Sequence, residues 1–216
     1  MSEPSTDWQK WHSAYDDPDS RLSERLRVVQ SHVAAALDER AAKPGPIRII
    51  SMCAGQGRDV IRTLAVHQRR NDVAAVLVEL DEDLAEAARA GAIAAGLAAV
   101  SVRCADASTS DSYAGVEAAD ILLACGVFGN ISDDDIRRTI DQLPMLCAPD
   151  ATVIWTRYGR PGDDLAPEIC RWFVERGFDE ARLDASDERS YRVGSHRLNV
   201  VPPPFDPGVR FFQFLR

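Results

Sequence analysis

Apolar residues recur at helical spacing from Leu22 through Leu26, Val29 and Val33 to Leu37, and the stripe stops at Lys43-Pro44-Gly45-Pro46. This predicts one amphipathic helix over 22–37. A short apolar run, IRIISM at 47–52, leads through a glycine-bearing turn into a helical pattern over roughly 58–69. The run VAAVLVEL (73–80) predicts a second strand, and an alanine-rich helix follows over about 82–96. AVSVRC (99–104) and ADILLAC (119–125) read as a third and a fourth strand. Ser132, with Asp135 three residues on, marks a capped helix start whose buried face is Ile136, Ile140 and Leu143. ATVIWTRY (151–158) is a fifth strand; Pro167 opens a helix carrying Ile169, Trp172 and Phe173, and Gly177 closes it. Three extended segments end the chain: FDEARLDA (178–185), SYRVGSH (190–196) and VRFFQFL (209–215).

Strands alternating with helices predict an α/β fold: a doubly wound, mostly parallel sheet with helices on both faces. Right-handed crossovers leave few ways to wind it. The 216 residues, 45% of them hydrophobic, suffice for one such domain and are short for two. No apolar run approaches the roughly 20 residues of a membrane helix. The start, MSEPSTDWQKWHSAYDD, lacks a basic and apolar leader, so a cytoplasmic protein is expected.

Five cysteines (Cys53, Cys104, Cys125, Cys147, Cys170) are scattered with no C-x-x-C pair, which argues against a disulfide framework or a metal site. Cys53, Cys104 and Cys125 fall at strand ends, where a small reduced thiol fits a core. The net charge of -9 and the presence of only two lysines, Lys10 and Lys43, argue against a phosphate-gripping surface. Neither nucleic acid nor membrane is expected as a partner. A small-molecule substrate is, for a monomer or homodimer.

Candidate chemistry gathers after the first strand, at Ser51-Met52-Cys53-Ala54-Gly55-Gln56-Gly57-Arg58-Asp59. Ligands of open α/β sheets bind beyond the carboxyl ends of the strands, where a turn meets a helix N-terminus. Gly55 and Gly57 admit a tight turn and close approach of a ligand, and free N–H groups there favour an anion. Glu79 lies 24 residues after Gly55 at the end of the second strand, where a carboxylate can accept both hydroxyls of a ribose. Asp106, in Cys104-Ala105-Asp106-Ala107-Ser108, follows the third strand on the same edge and can take a hydrogen bond from an adenine amino group. Read singly, each is an ordinary turn or strand-end acid; together they outline an adenosine pocket.

The order of glycine turn, strand-end acid and Asp-Ala after the third strand resembles class I S-adenosylmethionine (SAM)-dependent methyltransferases, over roughly residues 45 to 216. Their usual first motif is acid-x-Gly-x-Gly-x-Gly; here Ser51 or Met52 stands near the acidic place, Cys53 replaces a glycine, and Ala54-Gly55-Gln56-Gly57 follow. The Cys-Ala-Gly-Gln-Gly-Arg-Asp form resembles a variant found in small bacterial methyltransferases. The resemblance implies a seven-stranded sheet with an antiparallel last strand, placed at VRFFQFL. It implies SAM as cofactor and S-adenosylhomocysteine (SAH) as product. Cys53, Ala54, Gly55 and Arg58 would line the methionyl part, Glu79 and Leu80 the ribose end, and Asp106 and Ala107 the adenine. The turn Cys125-Gly126-Val127-Phe128-Gly129-Asn130 would run past the cofactor, with Phe128, Asn130 and Arg157 facing the substrate.

The segment around Trp8, Trp11, His12 and Tyr15, with Arg25 after it, resembles a lid over the cofactor, residues 1–44 forming a helical arm on the core. Tyr15 and Arg25 would then hold the methionyl carboxylate. The other reading is an aromatic arm docked on the body. Topology places the connection 186–208 over the mouth, which makes His196 the candidate base, against the plainer reading of a structural histidine. The activity implied is methyl transfer to an oxygen or nitrogen of a small molecule by direct displacement. A nicotinamide-dependent oxidoreductase or a non-catalytic SAM-binding module are the alternatives; the former must accommodate Val60 where its fingerprint has a third glycine.

Overall fold

The computed structural model describes residues 15, 17–40, 45–159, 162, 164–188 and 190–215. Trp8, Trp11 and His12, and most of the arm expected before Arg21, lie outside the described residues.

Among the described residues the α-helices and strands follow one another as α1 (Arg21–Arg40), β1 (Ile47–Met52), α2 (Arg58–Val66), β2 (Val73–Glu79), α3 (Glu82–Ala94), β3 (Val100–Cys104), β4 (Ala119–Ala124), α4 (Asp133–Gln142), β5 (Cys147–Tyr158), α5 (Ala166–Glu175), β6 (Phe178–Ser186) and β7 (Tyr191–Leu198). The seven strands form one sheet in the order β3-β2-β1-β4-β5-β7-β6. β1 pairs in parallel with both β2 and β4, so the winding reverses between β1 and β4. β7 runs antiparallel between β5 and β6.

Alternation along β1 shows how the two faces fill. Ile47 and Ile49 point to a core shared with Val29, Val33 and Leu37 of α1 and Val60, Ile61 and Leu64 of α2. Ile50 and Met52 point to the opposite core, with Ile136 and Ile140 of α4 and Ile169 and Phe173 of α5. Period-two side-chain direction in the strand and an apolar stripe on each helix are enough to build this three-layer sandwich. At the sheet's lower edge the fully buried Asp120 carboxylate is held by Arg40 and by the backbone N–H (2.8 Å) and Nε (3.1 Å) of Arg48.

The C-terminal end corrects two expectations. The antiparallel strand is Tyr191–Leu198, not VRFFQFL, because β7 is fully hydrogen-bonded on both sides and leaves no place beside β5 for the later segment. Residues 209–215 instead run along the strand-end loops, forming the isolated bridges Thr109–Arg210 and Ile131–Phe214 and burying Phe211 and Phe212 in the core. The connection expected over the mouth, 186–208, thus contains strand β7. All five cysteines are free thiols; Cys104 is exposed rather than part of a core.

Candidate functional site

β1 ends at Met52 and the chain turns sharply. Cys53 takes a left-handed φ of 49°, as do Gly55 (55°) and Gly57 (64°). At Cys53, where the resembled motif has glycine, the left-handed turn costs on the order of 1 kcal/mol in a residue with a side chain. Gly57 is confined as well as bent: a Cβ there would sit 2.7 Å from Leu77 Cδ1 and 2.9 Å from Ile61 Cδ1. α2 starts immediately after it at Arg58, below the space above the strand ends.

That space is a cavity of about 420 Å³ over the carboxyl ends of β1, β2 and β4 and the loop after β3. It brings together Tyr15, Arg25, Cys53, Ala54, Gly55, Arg58, Glu79, Leu80, Asp106, Ala107, Cys125, Gly126 and Asn130. Every residue expected to contact a cofactor is therefore on one wall or another. Leu26, Val29, Gln56, Asp59, Asp81, Leu84, Thr156 and Phe214 line it too and were not anticipated. Asp59 stands within the quoted motif and could have been found there. Leu26 and Val29 belong to the α1 stripe, whose pattern does not distinguish core from cavity. Phe214 arrives by a tail whose path has no sequence signal.

Glu79 organises the turn. Its Oε2 accepts from the Gly55 N–H at 2.7 Å and its Oε1 from the Asp81 N–H at 2.9 Å. Each oxygen keeps a second lone pair for a ligand hydroxyl. Asp106 Oδ1 accepts from Ser108 N–H at 2.9 Å, and Arg210 lies 3.6 Å from its Oδ2. At the other end, Arg25 donates to the Tyr15 hydroxyl at 2.9 Å, and the Arg58 guanidinium lies 5.6 Å from the centroid of the Tyr15 ring. Burial pushes the Tyr15 hydroxyl pKa up, against the pull of Arg25. The Cys53 and Cys125 thiols are likewise held up by burial, so they line the cavity as neutral groups.

Asp59, in the first turn of α2, faces the same end. Burial raises its carboxyl to about 6, against a hydrogen bond from Val60 N–H (2.8 Å) and the charge of Arg25. The unfolded chain ionises near 3.8 and the folded one near 6, so stability is lost as pH rises through that window and the deficit is constant above it. Asp59→Asn is therefore expected to stabilise the protein at pH 7 by on the order of 3 kcal/mol and to do almost nothing at pH 3.5. Urea unfolding at the two pH values checks this; an equal change at both would mean that the charge is not responsible.

Three residues expected at the site lie elsewhere. His196 is fully buried in β7 opposite Val153, stacked on Phe173 with ring centroids 4.4 Å apart. Its Nδ1 accepts from the Trp155 indole N–H at 3.1 Å, and burial lowers its pKa to about 4. A neutral imidazole sealed between aromatic rings reaches no substrate. A ring nitrogen of His196 lies near Cys170 and Glu180, but the indole donor occupies the lone pair on Nδ1 and leaves the proton on Nε2, which is the wrong tautomer for a metal ligand. Phe128 is also fully buried, its ring 6.0 Å from Trp155 and 6.5 Å from Phe173. Arg157 is turned back onto the Phe128 carbonyl and pairs with Asp133 at 3.6 Å. In each case alternation along a strand or turn chose the face, and the chosen face points away from the cavity.

No family model matches the chain, and no curated protein matches it. Solved structures do. Magnesium protoporphyrin IX methyltransferase (ChlM) from Synechocystis PCC 6803, with bound SAH, aligns at a TM-score of 0.67 and 15% identity over 90% of this chain and 94% of that one. The 1,6-didemethyltoxoflavin-N1-methyltransferase of Burkholderia thailandensis aligns at 0.62 and 16%, over 93% and 94%. An O-methyltransferase family protein from Burkholderia thailandensis aligns at 0.64 and 16%; 86% of this chain is covered, but it spans only 59% of that protein's length. The fold is the Rossmann-like α/β fold of class I SAM-dependent methyltransferases.

Proposed function

We propose that this chain is a SAM-dependent methyltransferase acting on an oxygen or nitrogen atom of a small molecule, with residues 45–216 holding the cofactor and Tyr15 and α1 closing one side of the site. The observation that carries the reading is the Glu79 carboxylate, fixed by the N–H groups of Gly55 and Asp81 at the ends of β1 and β2. That arrangement presents two acceptor oxygens to a vicinal diol while the glycine turn keeps the main chain close.

The cavity suits an adenosyl amino acid at both ends. Asp106, Ala107 and Leu80 offer an edge acceptor and apolar faces for a purine, and Arg25, Arg58 and Asp59 offer both signs of charge to a zwitterion. Bound there, SAM would supply an already activated methyl group on a sulfonium. This chain's own part is to orient reactants and exclude water. Arg25 and Tyr15 close the charged end, and the Gly126–Asn130 turn lines the side open to an acceptor. Asn130 steadies that turn by donating from Nδ2 to the Gly126 carbonyl at 2.7 Å, and Thr156 Oγ1 accepts from the Gly126 N–H at 2.8 Å. With His196 in the core, the reaction relies on alignment more than on a dedicated base, as suits a nucleophile without a high-pKa proton. The small molecules named for two of the similar structures, a porphyrin and a toxoflavin precursor, support an acceptor of that kind.

Calorimetric titration of the purified chain with SAM, SAH and NADH tests the proposal. Micromolar binding of SAM and SAH without NADH is expected; binding of NADH alone would replace the reading with a nicotinamide enzyme.

A further inference from the structure

The tail after β7 crosses from the loop after β3 to the turn after β4. Ser110 N–H donates to Val209 O at 2.8 Å and Phe211 N–H to Ser108 O at 2.8 Å, so the tail starts beside β3. Its end is held elsewhere. Gln213 N–H donates to Asp135 Oδ2 at 3.1 Å, Leu215 N–H to Asn130 O at 3.0 Å, and Phe214 bridges to Ile131. Phe214, 37% exposed, therefore lines the cavity from the side of the Gly126–Asn130 turn, while Phe211 and Phe212 are fully buried. Phe212 meets it at 69° with centroids 5.2 Å apart, and among the described residues no ring stacks flat on it.

That end of the cavity carries no charge among the described residues. The turn after β4, β5 and the tail contribute Cys125, Gly126, Asn130, Thr156 and Phe214, and burial keeps the Cys125 thiol neutral. The charged lining residues, Arg25, Arg58, Asp59, Glu79, Asp81 and Asp106, come from α1, the start of α2 and the ends of β2 and β3 with their loops. Charges beside the tail are already paired: Arg157 with the Phe128 carbonyl and Asp133, and Asp135 with Arg138 and the Gln213 N–H. We infer that the acceptor is a neutral, flat aromatic molecule whose ring stacks on Phe214, so that the C-terminal tail selects the substrate; this rests on the cofactor reading above. A charged acceptor would lose water here and gain no counter-ion. An aromatic one gains stacking beyond burial, and main-chain bonds on either side order Phe214 in advance. A phenolic hydroxyl also sheds its proton more readily than an alkyl one, which suits a site whose described lining holds no imidazole.

The test is calorimetry of the full chain, saturated with SAH and titrated with three probes on one bicyclic skeleton: flat 2-naphthol, its saturated analogue decahydro-2-naphthol, and the anion 2-naphthoate. 2-Naphthol is expected to bind about tenfold more tightly than either of the others. Phe214→Ala should weaken 2-naphthol by about tenfold and leave SAH affinity within about twofold of the parent, with Phe214→Leu falling between and Phe214→Tyr retaining affinity. Unfolding midpoints should not move, since Phe211 and Phe212 hold the tail; should that of Phe214→Ala fall, Phe214→Leu decides. Absent binding of 2-naphthol, equal or tighter binding of either analogue, or affinity of Phe214→Ala for 2-naphthol close to that of the parent overturns the inference while leaving the cofactor reading in place. So does an equal loss of SAH affinity, which would assign Phe214 to the cofactor. Failure of the parent chain to bind SAH overturns both.

Discussion

Glu79→Ala is expected to weaken SAH binding by about 100-fold, the largest effect of any single side chain in the cavity. The carboxylate is 9% exposed and serves two masters at once. Its removal deletes the acceptors offered to a diol and strips the Gly55 and Asp81 N–H groups of their partners. Hydrogen bonds to a charged group contribute about 1.5–3 kcal/mol each, so the loss of even part of this set reaches about 3 kcal/mol, or roughly 100-fold. Glu79→Gln separates the roles. Its amide keeps one acceptor oxygen but points an NH2 at a backbone donor, and a fall of about tenfold is expected. Calorimetry with SAH, alongside the circular-dichroism melting curve of each variant, checks both. An affinity for Glu79→Ala close to that of the parent would take Glu79 out of the binding site; a collapsed melting curve would leave Glu79→Gln to decide.

Trp155→Ala is expected to cost about 3–5 kcal/mol of stability, the range for deleting a fully buried large aromatic. The ring lies 6.0 Å from Phe128 and 6.3 Å from Phe173, and its N–H is the donor to His196. Truncation opens a cavity and leaves His196 Nδ1 unsatisfied in the same stroke. Gly194 faces the indole so closely that a Cβ would lie 2.6 Å from Nε1, so neither the backbone nor the neighbours can close the gap without rearranging β7. Trp155→Phe keeps most of the ring and loses the donor, and a smaller cost of about 1–2 kcal/mol is expected. Guanidinium unfolding measures both, and a loss below 1 kcal/mol for Trp155→Ala would show that the cluster is not a stability element. The same cluster predicts acid sensitivity. His196 titrates near 4 in the fold and near 6.5 unfolded, so its contribution is intact above pH 6.5 and is lost as pH falls from there to 4.

These two side chains show what could be read along the chain. Glu79 was legible because strand, acid and glycine turn are local features, and parallel strands bring successive strand ends to one edge whatever else the fold does. The alternating α/β architecture was legible for the same reason: periods of 2 and 3.6 in apolar positions report which elements form and which face each buries. His196 was misplaced because the segment expected to cross the mouth is strand β7, and Phe128 because its turn can be read from the sequence while the direction of its side chain cannot. For His196 that direction is fixed by pairing β7 between β5 and β6, a non-local register.

The sequence by itself determined the order of strands and helices, the left-handed turn after β1 that needs Gly55 and Gly57, and the acids Glu79 and Asp106 at the ends of β2 and β3. Each of these follows from local periodicity, backbone sterics or strand direction, which act within a few residues. Only the tertiary structure decided that β7 rather than the terminal segment is the antiparallel strand, that residues 209–215 carry Phe214 across the strand-end loops into the cavity, and that Asp59 faces Arg25 with a carboxyl raised to about 6. Those outcomes depend on which strands compete for the same sheet edge and on how much water packing leaves around a charge, and both are settled between residues far apart in the chain.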